Sequence, residues 1–243
     1  MPQNSRNHLI LALDGSDKEG LKHLVAKMTG LVFFYKVGCW GYTAWGPELV
    51  EYIRGLGGEV FLDLKFHDIP HTVAGAVAEA ARLGVYFLTL HAQGGKQMMT
   101  ESVKRLNEVC QKEGLRKPKL LAITILTSLG ETALHEELNV SADLTQQVIH
   151  LAKMAKDSGL DGVVASPQEV AILRQELGRD FLIVTPGVRP AQLVQDDQKR
   201  VLTPREAMLQ GADYLVIGRP ITQAPQPVEA VREILRQMAT VVY

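Results

Sequence analysis

Short apolar runs recur along the chain and alternate with longer segments in which apolar residues follow a helical spacing. Runs of four to eight apolar, β-branched or aromatic residues are typical of buried strands, and apolar residues three or four apart indicate amphipathic helices. The predicted strands cover residues 8–13, 31–37, 59–65, 85–91, 119–126, 161–166, 180–186 and 213–218. The predicted helices cover residues 17–29, 44–55, 72–83, 95–113, 143–158, 168–177, 204–210 and 226–240.

This alternation of strand and helix predicts a parallel sheet covered by helices. The chain has 243 residues, a length that suits one closed (β/α)8 barrel, the TIM barrel. A doubly wound open sheet is the alternative. No linker, low-complexity tract or charge run interrupts the pattern, so we expect a single α/β domain over residues 1–243.

Composition and charge narrow the classes of function. The formal net charge is -1 and no basic stripe is present, so neither nucleic acid nor a membrane surface is an expected partner. Cys39 and Cys110 form no CxxC pair, which favours a reducing compartment over disulfides or a zinc site. The apolar run before Asp14 is too short for a signal peptide, and no stretch of about 18 apolar residues could span a bilayer. We therefore expect a cytoplasmic protein.

Charged residues stand at the carboxyl ends of the first three predicted strands. Asp14 follows the first strand, Lys36 lies near the end of the second, and Asp63 and Lys65 lie near the end of the third. Alternate strand residues face the barrel interior, so Asp63 and Lys65 are expected to point into the mouth where barrel active sites lie. An ion-pair network that holds strand register is the structural alternative. Such networks usually stabilise less than apolar packing does, so the clustering favours a site for proton transfer.

The stretch 63–72, DLKFHDIPHT, resembles the signature D-x-K-x-x-D-I-P-x-T of the orotidine 5'-phosphate decarboxylase family. A sister branch of keto-sugar phosphate decarboxylases shares the shorter D-x-K-x-x-D, so the extension IPHT makes the match specific. Other segments match the family in order along nearly the whole chain: LALDG (11–15), YKVG (35–38), AITILTS (122–128), TPGVRP (185–190), DDQKRVLTP (196–204) and DYLVIGRPI (213–221). The resemblance implies a lyase that converts orotidine 5'-phosphate to UMP and CO2 in pyrimidine biosynthesis without a cofactor.

The resemblance also implies roles for the charged residues. Lys65 is expected to stabilise the carbanion at C6 of the pyrimidine and to protonate it. Asp63 and Asp68 are expected near the substrate carboxylate, and Lys36 is expected to hold both carboxylates and to bond a ribose hydroxyl. Asp14 is expected to accept from ribose hydroxyls, as carboxylates do well.

The remaining substrate contacts follow from the same resemblance. Thr127, just past the fifth strand, is expected to read the pyrimidine edge. The phosphate is expected to bind Arg189 and Gln198 after the seventh strand and Gly218 and Arg219 after the eighth. Arginine is a forked donor and glycine lets the backbone approach closely. The loop after the seventh strand is expected to close over the bound phosphate.

The family pattern further implies a homodimer with shared sites. Asp68 and Thr72 are expected to reach into the active site of the second subunit. Ile69, counted among the substrate-binding residues, and Pro70 suit a rigid loop that crosses the interface.

Two other functions remain open from the residues alone. One is a Mg2+-dependent decarboxylase or epimerase of a sugar phosphate, and the other is a barrel that binds a phosphorylated ligand without turnover. His67 and His71 have the i, i+4 spacing of some metal sites, but Pro70 lies between them and no H-E-x-x-H pattern occurs. No metal ligand is therefore assigned.

Overall fold

The computed structural model describes residues 7–15, 17–189 and 202–239, and eight parallel strands lie within these ranges. They are β1 (Leu9–Leu13), β2 (Phe34–Gly38), β3 (Glu59–Phe66), β4 (Phe87–His91), β5 (Lys119–Ile123), β6 (Gly162–Val164), β7 (Leu182–Pro186) and β8 (Tyr214–Ile217). Each overlaps one predicted strand. The predicted strand 119–126 extends past the end of β5, whose pairing with both β4 and β6 ends at Ile123.

The strands close into a barrel in sequence order, with β8 paired in parallel with β1. Leu9 lies opposite Leu215 and Leu11 lies opposite Ile217. The predicted TIM barrel is therefore confirmed, and the open-sheet alternative is wrong. Closure leaves no exposed sheet edge in the described barrel, so the backbone groups of β1 and β8 satisfy each other.

Helices follow the strands and pack around the barrel. They are α1 (Lys18–Met28), α2 (Cys39–Trp45), α3 (Pro47–Gly55), α4 (Pro70–Arg82), α5 (Gly95–Glu113), α6 (Glu131–Glu136), α7 (Leu144–Asp157), α8 (Val170–Leu177), α9 (Pro204–Leu209), α10 (Arg219–Thr222) and α11 (Pro227–Ala239). The short helices α2, α6 and α10 were not predicted. The predicted helix 44–55 began too early, because Gly46 has φ +57° and Pro47 starts α3. Proline is favoured at that first helical position.

Two separate apolar cores result from the strand alternation. Leu9, Leu11 and Leu13 face outward and pack against the helices, whereas Ile10 and Ala12 face the barrel interior. The buried interior core consists of Ile10, Ala12, Phe34, Phe61, Phe87, Leu121, Val184 and Val216. This layer fills the barrel, so a ligand can enter only above it, at the mouth formed by the strand carboxyl ends.

Among the described residues, no helix combines the length and the apolar character needed to cross a membrane.

Candidate active site

The charged residues at the mouth continue the inward-facing positions of the interior core. Along β1, Asp14 comes two residues after Ala12, and along β2, Lys36 comes two residues after Phe34. Along β3, Asp63 and Lys65 continue the alternation that starts at the buried Phe61. The residues that fill the barrel and those that point out of its mouth are thus set by the same period of two.

These four side chains form a chain of alternating charge. Lys36 Nζ lies 3.2 Å from Asp14 Oδ1 and 3.5 Å from Asp63 Oδ2. Lys65 Nζ lies 2.8 Å from the same Asp63 Oδ2. Asp63 is only 6% exposed, and its carboxylate is surrounded by the two ammonium groups and by the hydroxyl of Thr89, as a buried charge requires. Lys65 keeps about a third of its side chain exposed, so its ammonium can also meet a ligand.

The third strand is distorted at the point where it carries Lys65. Lys65 has φ +53°, in the left-handed region that residues other than glycine rarely adopt. The pairing of β3 with β4 shifts between Leu62 and Phe66. Such distortions are enriched beside active sites, where they aim a side chain.

A cavity of about 740 Å³ adjoins this array. Its lining comes from strands β1, β2, β7 and β8 and from the segments that follow β1, β7 and β8: Ala12, Asp14, Lys36, Pro186, Gly187, Val188, Arg189, Val216, Gly218, Arg219, Pro220, Gln223, Ala224 and Pro225. Arg189 follows β7 and Arg219 follows β8. Both therefore line the same cavity as Asp14 and Lys36. A space lined by two arginines and by Asp14 and Lys36 of the array suits a polar ligand with an anionic group.

Small residues keep the site open. A Cβ on Gly38 would lie 3.0 Å from Lys36 Nζ and 3.4 Å from Asp14 Oδ1. A Cβ on Gly218 would lie 3.3 Å from the Cβ of Ala12. Gly218 was predicted from its motif, but Gly38 was not. Gly38 lies two residues after Lys36 on β2, so the period of two could have found it, whereas its approach to Asp14 depends on how β1 and β2 pair.

The loop after β3 does not bring Asp68 into the array of its own chain. Its carboxylate accepts a hydrogen bond of 2.6 Å from the backbone N–H of Ile69. Asp68 and Thr72 are exposed, and Ile69 is 66% exposed. Within the described residues, the ion pairs of Lys36 join it to Asp14 and Asp63. The expected contact between Lys36 and Asp68 is thus not made within one chain.

Three predicted contacts remain: Thr127, Arg189 and Gln198. Thr127 is exposed in a turn after β5. The backbone N–H of Arg189 donates to the carbonyl of Leu202 at 3.1 Å, which joins the two described flanks of the loop after β7. Gln198 lies outside the described residues.

Two residues of β4 near the array were not among the predicted site residues. Thr89, fully buried, hydrogen-bonds Asp63 and the backbone of Lys65. His91 packs its ring 5.3 Å from that of His67. Burial lowers the pKa of His91, and the nearby His67 and Lys65 lower it further. Their place two and four residues after the inward-facing Phe87 was the one available signal.

No group of three or more histidine, cysteine, aspartate or glutamate side chains is arranged to hold a metal ion in residues 7–15, 17–189 and 202–239.

The fold and the mouth together define a class of protein: a TIM barrel with an acid–lysine array beside an arginine-lined cavity. The chain belongs to the family described as "Orotidine 5'-phosphate decarboxylase / HUMPS family", whose model matches residues 7–234. This confirms the predicted lyase family.

Individual relatives agree with this membership. An orotidine 5'-phosphate decarboxylase of Geotalea daltonii is 50% identical over 234 residues, which cover 96% of this chain and 97% of the relative. One from Geotalea uraniireducens is 48% identical over 237 residues, covering 98% and 97%. The crystal structure of the orotidine 5'-phosphate decarboxylase from Lactobacillus acidophilus has a TM-score of 0.84 at 40% identity, covering 95% of this chain and 98% of that chain.

Proposed function

We propose that this chain decarboxylates orotidine 5'-phosphate to UMP and CO2 without a cofactor, and that Lys65 donates the proton that replaces the lost carboxylate. The observation that carries the proposal is the pair formed by Lys65 and the buried Asp63, 2.8 Å apart at the barrel mouth. Relatives about 50% identical over nearly the whole chain are named for this reaction. The same function explains why the array adjoins a cavity with two arginines.

The chemistry requires a cation next to C6 of the pyrimidine. When the bond between C6 and the carboxylate breaks, CO2 leaves and the electron pair stays on C6 in the ring plane, where no π-system delocalises it. An ammonium about 4 Å away, at an effective dielectric constant near 20, stabilises such a charge by roughly 4 kcal/mol. Lys65 then transfers a proton from Nζ to C6 and regains one from solvent. The rest of the rate enhancement must come from binding energy elsewhere on the substrate.

Asp63 has two functions in this proposal. Its Oδ2 accepts from Lys65 at 2.8 Å and lies 3.5 Å from Lys36 Nζ, so it orients both lysines. A carboxylate held beside the substrate carboxylate also repels it, and this repulsion is relieved as CO2 departs. Lys36, between Asp14 and Asp63, would bond a ribose hydroxyl, and Asp14 would accept from the ribose.

The phosphate would bind to the arginines of the cavity. Arg189, Gly218 and Arg219 line the cavity together with Pro220 and Gln223. Guanidinium groups make short, charge-assisted hydrogen bonds with phosphate oxygens. We further propose that Gln198 contributes from the loop after β7 and that Thr127 reads the pyrimidine edge. A phosphate group held by these residues would place C6 of the pyrimidine next to Lys65 in every bound substrate molecule.

We also propose a homodimer in which Asp68, Ile69 and Thr72 complete the site of the other subunit. Support comes from the exposure of all three residues on the single chain and from the absence of Asp68 from its own array, among the described contacts.

We propose a cytoplasmic location as well. The exposed thiol of Cys39 and the buried free thiol of Cys110 support it, because reducing compartments preserve free thiols.

The test is an assay of the purified protein with orotidine 5'-phosphate, in which loss of orotate absorbance is followed with and without excess EDTA. We expect turnover that EDTA leaves unchanged. Turnover abolished by EDTA would indicate the metal-dependent sugar-phosphate branch of the family. Tight binding of UMP without any turnover would indicate a binding protein, and either result would overturn the proposal.

A further inference from the structure

Strand β3 carries two more residues than β4 at the level of the active site. Phe61 pairs with Phe87 and Leu62 with Leu88, but the next pair is Phe66 with Leu90. Asp63, Leu64 and Lys65 therefore lie opposite one residue of β4, Thr89. A parallel ladder with such an insertion leaves backbone groups of the longer strand without their regular partners.

The hydroxyl of Thr89 takes over one of these missing bonds. The backbone N–H of Lys65 donates to Thr89 Oγ1 at 2.9 Å. Thr89 Oγ1 in turn donates to Asp63 Oδ1 at 2.9 Å. A hydroxyl has one hydrogen to donate and lone pairs to accept, so this one group satisfies two buried partners of opposite kind.

These bonds form a closed ring around the reacting end of β3. Lys65 Nζ donates to Asp63 Oδ2 at 2.8 Å, and Asp63 Oδ1 is held by Thr89, which also holds the backbone of Lys65. Both ends of the lysine are thereby tied to the same two side chains. Thr89 is fully buried, so no water competes for its hydroxyl.

The ring matters because the backbone of Lys65 is in an unfavourable conformation. Its φ of +53° is one that a lysine does not adopt without support from its surroundings. The hydrogen bond from its N–H to Thr89 is a direct constraint on that conformation. Without it, the strand would be free to relax toward regular pairing with β4, and the ammonium would move with it.

We propose that Thr89 is a positioning residue for the decarboxylation, acting through Lys65 and Asp63 without touching the substrate. The inference rests on the proposed function. The buried hydroxyl of Thr89 fixes the rotamer of Asp63 through one hydrogen bond. Through the other, it holds the backbone conformation that directs the side chain of Lys65. Since the proposed phosphate contacts lie on other strands and Thr89 bonds the residues around Lys65, we expect Thr89 to act mainly on kcat and to change KM little.

The decisive variant is Thr89→Val, which keeps the shape of the side chain and removes the hydroxyl. We expect kcat to fall about tenfold to a hundredfold, the range for losing a hydrogen bond to a buried charged group, with KM within about threefold of the parent. Thr89→Ser retains the hydroxyl and should recover kcat to within about threefold of the parent. Rescue by serine but not by valine separates the hydrogen bonds from packing.

Thr185→Val is the matched control, because Thr185 is also fully buried on a barrel strand, and its hydroxyl has no hydrogen-bond partner in the described structure. We expect its kcat to equal that of the parent. Melting temperatures of all variants report any loss of folding.

A double-mutant cycle adds a readout that a general loss of stability would not produce. In a Lys65→Ala background, Thr89→Val should cost little further activity.

Each outcome has a distinct meaning. A parent protein without decarboxylase activity would overturn the proposed function and the role of Thr89 with it. An active parent whose kcat is unchanged by Thr89→Val would overturn the role of Thr89 alone. Equal losses in Thr89→Val and Thr185→Val, or full additivity with Lys65→Ala, would likewise overturn the positioning role.

Discussion

The ammonium of Lys65 and the carboxylate of Asp63 lie 2.8 Å apart. The two residues are alternate residues of β3, so their side chains lie on the same face of the strand. Asp63 is buried and Lys65 reaches toward the open mouth. The pair therefore has a fixed side and an accessible side. A cation that is held by a buried partner and still open to a ligand can stabilise negative charge without losing its orientation.

Replacement of Lys65 by alanine tests the cation directly. We expect Lys65→Ala to lower kcat by at least about 10³-fold, since both a charge near C6 and a proton donor are lost. Steady-state assays with orotidine 5'-phosphate measure the change. Lys112→Ala is the control, because Lys112 is exposed in the last turn of α5, and it should leave kcat unchanged. A Lys65→Ala protein that releases CO2 as fast as the parent would contradict the mechanism.

Mixed dimers test whether Asp68 acts in the partner's site. Lys65→Ala and Asp68→Ala proteins should each be nearly inactive. When they are unfolded and refolded together, random pairing makes half the dimers mixed, and each mixed dimer has one intact site, so about a quarter of parent activity should return. Each variant refolded alone serves as the control. Failure of activity to return from two well-folded variants would mean that the residues act within one chain.

A variant of Arg219 tests the proposed phosphate site. Arg219→Ala should raise KM for orotidine 5'-phosphate by roughly tenfold to a hundredfold, because a charge-assisted hydrogen bond is lost. Orotidine, which lacks the phosphate, should react equally slowly with the parent and the variant. Arg232→Ala, on the exposed side of α11, is the control. Equal effects on both substrates would argue that Arg219 does not bind the phosphate.

Gly38 tests how closely the array is packed. A methyl group there would lie 3.0 Å from Lys36 Nζ, so Gly38→Ala should shift the lysine and lower kcat/KM about tenfold. Gly38 has φ -89°, so the backbone itself accepts alanine and the melting temperature should change little. Gly55→Ala, whose Cβ would meet nothing within 4 Å, should retain parent activity. Full activity in Gly38→Ala would mean that Lys36 has more room than its contacts indicate.

His91 makes a prediction about pH and stability. Burial, His67 and Lys65 lower its pKa in the folded protein below the ordinary 6.5, so as pH falls below 6.5 the unfolded chain takes up a proton that the folded chain resists. The free energy of unfolding should therefore decrease with falling pH in this range.

The variant His91→Gln removes this titration. Urea unfolding of parent and variant between pH 5 and 8 should give a stability difference that is constant above about pH 6.5 and moves against the parent below it. A difference that does not change with pH would show that His91 titrates alike in the folded and unfolded states.

Much of this architecture follows from local sequence. The period of two in β1, β2 and β3 places Asp14, Lys36 and Asp63 on the inner face. The spacing of Asp63 and Lys65 predicts that their side chains point in the same direction, and the family motifs contain the arginines that line the cavity, Arg189 and Arg219. These properties depend on the backbone geometry of one element at a time, which short stretches of sequence determine.

Long-range pairing had to be seen in three dimensions. The two extra residues of β3 opposite Thr89, the left-handed conformation of Lys65, and the approach of Gly38 to Asp14 all depend on which residues of neighbouring strands lie side by side. Register is decided by the packing of the whole barrel and not by either strand alone. For that reason the sequence alone determined the fold class and the charged residues of the mouth. The tertiary structure decided that the buried hydroxyl of Thr89 bonds Asp63 and the backbone of Lys65.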